Sequence, residues 1–260
     1  MRRLVLLTVV AVFAVAAAAA YAVDNTVTYT SKVSFRGKPT AKKPVNTSYQ
    51  GILHIDTNPA GQQPDTAPIT SVYFAKGIKN NARYFPSCNA TEIDGQPTIP
   101  AKCNKAKVGT GTAAALAGSP GSPSSASAKE DLTVTAINGP KGKTIYLVLN
   151  STPTAPVQIQ NRVVPGKIIT ARGAFSYEVR FMVPADLQEQ VGLRVALTDF
   201  NVKISGTPRK VKVGRVAKRI SYLQLTSCKS SLPVKAIAQF KNSANGDAIT
   251  PVTSTSTSKC

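Results

Sequence analysis

An all-β fold is what these 260 residues predict: an antiparallel β-sandwich or barrel-like sheet, loop-rich, with at most one short connector helix. Two patterns carry the expectation. Apolar and polar residues alternate over many short runs, as they do in half-buried strands. Glycine, proline and asparagine punctuate those runs at the spacing that hairpins need.

Taken in order, residues 1–22 stand apart. Met1-Arg2-Arg3 precedes an unbroken apolar stretch from Leu4 to Ala20, which closes on Ala20-Tyr21-Ala22. A basic start, an apolar run and a small-x-small end make a secretory signal peptide. The alternative is an uncleaved N-terminal membrane anchor, for which about 20 apolar residues suffice. The alanine-rich second half, Ala14 to Ala20, is weakly driven into lipid and favours cleavage after Ala22. The expected location is therefore secreted or extracytoplasmic, at the cell envelope.

Residues 23–112 read as a loop-rich β lobe, 113–130 as a Gly/Ser/Pro-rich linker or long loop, and 131–260 as a β-sandwich lobe, the two lobes separate or one domain. In the first lobe Val27, Tyr29, Val33 and Phe35 share one face, and Leu53 with Ile55 supply another strand. Gly37–Thr47 and Thr57–Thr70 read as surface loops. In the second, Leu132 with Val134 and the run Ile145 to Leu149 are strands, and Phe175 to Val183 alternates most clearly. Leu193, Val195 and Leu197 have one parity, whereas Phe200, Val202 and Ile204 have the other, which predicts a β-bulge near Thr198-Asp199. Turns are expected at Asn138 to Gly142, at Pro165-Gly166 and at Asn245-Gly246. Pro184 to Gly192, with a proline start, early acids and a glycine stop, is the helix candidate.

Four cysteines behind an export signal imply two disulfides. Three pairings are open. Cys88–Cys103 with Cys228–Cys260 is favoured because each pair closes one contiguous segment. The first would staple an excursion with little core of its own, and the second would tie the last residue back onto the body.

Lysine and arginine outnumber acids 32 to 12, giving a net charge of +20, or +18 once Arg2 and Arg3 are removed with the signal. From Phe200 to Gly246 there are ten basic residues and no acid. Such a surface attracts anionic polymers through its summed field and counterion release. Outside the cytoplasm these are anionic envelope polymers and lipid surfaces. Nucleic acid fits less well, because tryptophan is absent and the aromatic stacking platform is thin. The plain alternative is a self-repelling soluble face.

Catalysis has few candidates. The single histidine, His54, lies in a strand on the face opposite Leu53 and Ile55, and no G-x-S-x-G accompanies it. Glu92/Asp94, Glu130/Asp131 and Asp186/Glu189 are the close acid pairs a hydrolase would draw on. Gly109 to Ala114 matches G-x-G-x-x-A but is followed by a Gly/Ser/Pro tract rather than a helix. Neither a metal site nor a cofactor is expected from these spacings.

Pro86-Ser87-Cys88, then Cys103-Asn104-Lys105-Ala106-Lys107-Val108-Gly109-Thr110-Gly111-Thr112-Ala113, resembles a group of uncharacterised secreted β-rich proteins of high-GC Gram-positive bacteria (actinobacteria). Their closing segment is similar to Tyr222-Leu223 to Cys228 with a hairpin ending in Cys260. The chain departs from that pattern in the terminal hairpin, where Ala238 to Gly246 replaces a Trp and an Asp-Gly turn. The resemblance implies secretion, two local disulfides, an all-β fold and no known enzymatic activity.

The expectation is thus a non-enzymatic exported protein that binds anionic envelope material through Lys210, Lys212, Arg215, Lys218 and Arg219. Val211 and Val213 alternate with Lys210 and Lys212, so those lysines should share one solvent face. One alternative is a carrier of an apolar ligand between its sheets, motivated by the two-sided apolar run Ile145 to Leu149. A hydrolase using an acid pair is the other.

Overall fold

The computed structural model describes residues 23–119, 123–153, 155, 158–190, 192–242 and 246–260. The expected signal peptide, residues 1–22, lies outside the described residues, as does Asn245 of the expected terminal turn. The chain is all-β. Its first strands are β1 (Asp24–Phe35), β2 (Val45–Asn58), β3 (Thr66–Ala75) and β4 (Ile78–Asn80). Helix α1 (Ala101–Lys105) then leads into β5 (Lys107–Gly118), β6 (Ala128–Asn138), β7 (Thr144–Ser151), β8 (Arg162–Thr170) and β9 (Phe175–Met182). Helix α2 (Ala185–Gln188) precedes β10 (Glu189–Gln190), β11 (Leu193–Ile204), β12 (Arg209–Val213) and β13 (Val216–Ile220). Last come β14 (Leu223–Leu225), β15 (Ser231–Lys241) and β16 (Val252–Lys259).

One antiparallel sheet runs β16-β15-β3-β9-β8-β7-β6-β5-β11-β2-β14-β4, with β1 on β2 and β10 on β11, while β12 and β13 form a separate hairpin. The large sheet interleaves strands from both sides of residues 113–130, so its core is shared by both expected lobes. It rolls up without closing as a barrel. Where β1 meets β16, side chains replace a main-chain ladder: Tyr29 N–H donates to Ser254 Oγ at 2.9 Å, and Ser256 Oγ donates to the Tyr29 carbonyl at 2.8 Å.

Alternation places the core as the sequence pattern requires. Val27, Tyr29, Val33, Leu53 and Ile55 point inward with Val72, Phe74, Leu132, Val134, Leu147, Val164 and Val179. The slip in β11 is present: its register against β5 shifts between Leu197 and Asp199, which lets both Leu197 and Phe200 reach the inner side. At one end of the roll aromatic rings fill the interior. Phe74 lies 4.7 Å from both Tyr49 and Tyr177, and Tyr29 and Tyr49 share a hydroxyl hydrogen bond of 3.0 Å. Gly51 makes room for this pair, since a Cβ there would sit 2.6 Å from Tyr29 Oη.

Several expectations need correction. Residues 113–118 of the expected linker are strand, Ser124–Ala126 form a 3-10 turn, and β6 resumes at Ala128. Ala113 and Ala115 there are inner-face residues of a ladder, with Ala114 and Gly118 on its other face, rather than a low-complexity spacer. The loops expected over Gly37–Thr47 and Thr57–Thr70 are shorter, because β2 begins at Val45 and β3 at Thr66. Pro165-Gly166 is not a turn but mid-β8. Pro165 pairs only with β7, where a missing N–H is tolerated, and a Cβ on Gly166 would meet the Phe181 ring at 2.5 Å. Among the described residues of the expected helix over Pro184 to Gly192 only Ala185–Gln188 is helical, and a second short helix, α1, went unforeseen because it is little more than a single turn around Cys103.

Both favoured disulfides are geometrically met, with Cα separations of 5.1 Å for Cys88–Cys103 and 6.0 Å for Cys228–Cys260. Contrary to expectation, the first segment has a core of its own. Cys88, Ile93, Cys103 and Ala106 pack on Ile137, Tyr146, Val148 and Val163 across the outer face of β6, β7 and β8. This explains the two-sided run: Ile145 and Leu147 face the interior of the roll, while Tyr146 and Val148 lie under the stapled excursion. Protein atoms thus account for the apolar residues on both faces of β7. Disulfides suit an oxidising, extracytoplasmic setting, and no helix among the described residues is long and apolar enough to cross a membrane.

Candidate functional site

A broad concavity lies at the end of the roll where β1 and β11 finish and β2 and β5 begin. It is an open groove of about 1010 Å³. Its cations are Arg36, Lys107, Lys203 and Arg209, and its polar side chains include Ser34, Asn46, Ser48, Thr110, Ser205 and Thr207. No acid is among the lining residues, and Phe35 is their one aromatic.

Strand register brings these residues together. Lys203 pairs with Gln50 on β2 and with Thr110 on β5, so its side chain rises from the same outer face as theirs. Close strand approach at Gly206, where a Cβ would come within 2.7 Å of the Ser48 nitrogen, lets the 205–207 segment form one wall. Arg209 is fixed as the hinge between the groove and the β12–β13 hairpin. Its guanidinium donates to the Lys105 carbonyl at 2.7 Å and to the Lys107 carbonyl at 2.6 Å. Two backbone acceptors hold its planar fork while leaving its charge uncompensated by a carboxylate.

The five cations expected from sequence all sit on or at the tip of that hairpin, and all are exposed. Lys210 pairs with Arg219 and Lys212 with Ala217, so Lys210, Lys212 and Arg219 share one face, and Arg215 stands in the connecting turn. Lys218 pairs with Val211 and leaves from the opposite face. Val211 and Ile220 are buried in the main core and root the hairpin, while Val216 near its tip is 57% exposed. The set therefore splits, with four residues on one face or at the tip and Lys218 apart. Arg36 and Lys107, more than 90 residues upstream of the hairpin, went unnoticed because a charge window along the chain cannot see a shared sheet edge. Register prediction for β2, β5 and β11 was the only signal that could have found them.

The acids lie elsewhere. Glu92 is held below the usual carboxylate range by Lys102 and by the Asn89 N–H. Asp94 and Asp186 converge on Arg162, and Asp94 also accepts the Val163 N–H at 3.0 Å. Glu130 is buried, whereas its neighbour Asp131 is exposed and pairs with Lys129 at 3.1 Å, as successive strand residues must face opposite ways. His54 is half-exposed on the outer face of β2, with Asp199 2.7 Å from Nδ1 and Asp56 3.0 Å from Nε2. The bond to Asp199 raises its pKa above the ordinary 6.5, with smaller help from Asp56. No serine or cysteine nucleophile bonds to it among the described residues. The one gathering of metal-type ligands there is Cys88, Glu92 and Cys103, whose sulfurs are joined to each other.

No family model, curated protein or solved structure gives a match to this chain. The groove and hairpin must therefore be interpreted from their own chemistry.

Proposed function

We propose that this is a non-catalytic extracytoplasmic protein that binds an anionic polymer of the cell envelope along the basic groove. The observation carrying this reading is the groove itself: four cations, no acid and a hydroxyl-rich floor in one open channel of about 1010 Å³. An open channel accepts a chain that continues past both ends, and side-chain hydroxyls hydrogen-bond phosphate or carboxylate oxygens between the point charges. Lys210, Lys212, Arg215 and Arg219 extend the positive field from Arg209 outward and raise the rate of encounter. Lys218 contributes to the field only.

The test is retention of the full chain on immobilised teichoic acid against a neutral glucan, across a salt series. Retention on the anionic polymer should fall steeply with salt, as counterion release requires. Absent or salt-independent retention refutes the reading.

A further inference from the structure

The other end of the roll is hollow. Where β6 and β8 begin and β5, β7 and β9 end, a cavity of about 120 Å³ opens among Ala113, Ala115, Leu132, Leu147, Val164 and Leu197, with Tyr29 as its floor. Its cause is legible in β5. Ala113 pairs with Phe200 and Leu132, and Ala115 with Leu197 and Glu130, so two methyl groups stand where the neighbouring strands carry large side chains. Of its aromatics Tyr29 lies at the floor and Phe181 and Phe200 are only half-buried, whereas Tyr49, Phe74 and Tyr177 stack together at the opposite end.

We propose that this cavity takes the end of a single unbranched alkyl chain. Three observations point there. The lining is largely hydrocarbon: among the described residues its polar side chains are Thr66, Thr70, Gln188 and Tyr29, whose hydroxyl is hydrogen-bonded to that of Tyr49. Gln188 donates to the Val183 carbonyl at 2.7 Å, which occupies one of its two amide hydrogens. The volume is close to that of a 150 Å³ apolar cavity that admits benzene, which corresponds to roughly five or six carbon atoms. Finally, the cavity has a mouth. Leu149, Phe181, Val183 and Phe200 line it yet are only half-buried, so apolar side chains rim an opening through which the rest of a chain can leave. Helix α2 lies across this end with Leu187 buried against the cavity and is held by the Arg162–Asp186 ion pair. Bound hydrocarbon would recover dispersion contacts that the empty wall lacks.

This site is at the far end from the basic groove, and the inference does not depend on the groove's ligand. An uncharged probe keeps the two apart in experiment. The oxidised full chain is titrated with alkan-1-ols from butan-1-ol to decan-1-ol while the methyl NMR signals of Ala113, Ala115, Leu132 and Val164 are followed. Saturable shifts confined to these methyls are expected, with affinity rising about fourfold per methylene and levelling off near six carbons. Ala115→Leu should weaken octan-1-ol binding at least tenfold while far-UV circular dichroism is unchanged. If Ala115→Leu does not fold, Ala113→Val, a smaller filling, should still weaken it severalfold. Unmoved cavity methyls, affinity independent of chain length, or equal binding in a filled variant would each overturn the proposal. So would binding of benzene without binding of the alcohols.

Discussion

The two ends of the rolled sheet are built from the same strands and differ in what β5 contributes to each. Toward the groove, β5 carries Gly109 and Gly111 on its inner side, and the interior is filled by the Tyr29–Tyr49 pair and the Phe74–Tyr177 stack. Toward α2 it carries Ala113 and Ala115, and the interior is open. The outer surfaces differ in the reverse sense. The filled end bears the open basic groove, and the hollow end hides its recess inside. The lesson is that inner-face volume is set residue by residue along a single strand. A solid end can carry an exposed polar site without loss of core, while a hollow end trades packing for an internal one.

That separation can be broken experimentally, and the largest effect belongs to the groove. Replacing Lys107→Glu together with Lys203→Glu removes two of its four cations and inserts two acids. Retention on an anionic polymer at low salt should fall by about 100-fold, with a log–log salt slope shallower by about two. Octan-1-ol binding at the other end should not change. If both change, the ends are coupled through the sheet and the comparison fails.

Next in size is Leu132→Ala. Leu132 is 6% exposed and lines the cavity, so its loss enlarges a void and should cost about 2–5 kcal/mol in urea unfolding. Polymer retention by the folded variant should match the parent chain. A loss of retention under conditions where the protein is folded would show that the groove depends on packing at the hollow end.

A smaller effect is expected from the hairpin. Lys210→Ala, Lys212→Ala and Arg219→Ala combined remove the shared cationic face without touching Val211 or Ile220, which root it. Stability should stay within about 0.5 kcal/mol, and retention should drop severalfold, well short of the groove variant. A drop equal to that variant would move the main site from groove to hairpin.

That ranking inverts the one sequence alone suggested, and the inversion has a physical reason. Alternation is local, so the strands around Tyr29, Leu53, Val134 and Val179 were legible, as was the β11 bulge, which is a change of parity within twelve residues. The acid-free run was legible too, being contiguous. Arg36 and Lys107 join Lys203 only through pairings between β1, β2, β11 and β5, which are set by the whole roll. The cavity was illegible for the same reason: Ala113 and Ala115 looked like the start of a spacer because small residues signal both a flexible loop and a thin wall.

On the outer face, level with the cavity, His54 offers the smallest effect and the sharpest boundary. It stands on the outer face of β2 with Asp56 and Asp199, and Asp199 is four residues from Lys203 on β11. At the rise of a strand, that puts the carboxylate about 13 Å up-sheet from the groove's lysine. A polyanion lying in the groove should stop short of this acidic cluster. The bond to Asp199 raises the His54 pKa, so the folded state binds the proton more tightly than the unfolded chain. Its stabilising contribution is therefore fully present below the unfolded value near 6.5 and is lost as pH rises through the higher folded value. An NMR titration of the imidazole should give a midpoint above 6.5, and Asp199→Asn should bring it down because the largest cause is gone. Polymer retention by Asp199→Asn should equal that of the parent chain if the groove ends at Lys203. A marked gain would mean that the bound chain runs past His54 along the open face of β2 and β11, and the anionic site would then reach toward the hollow end rather than stopping at its own.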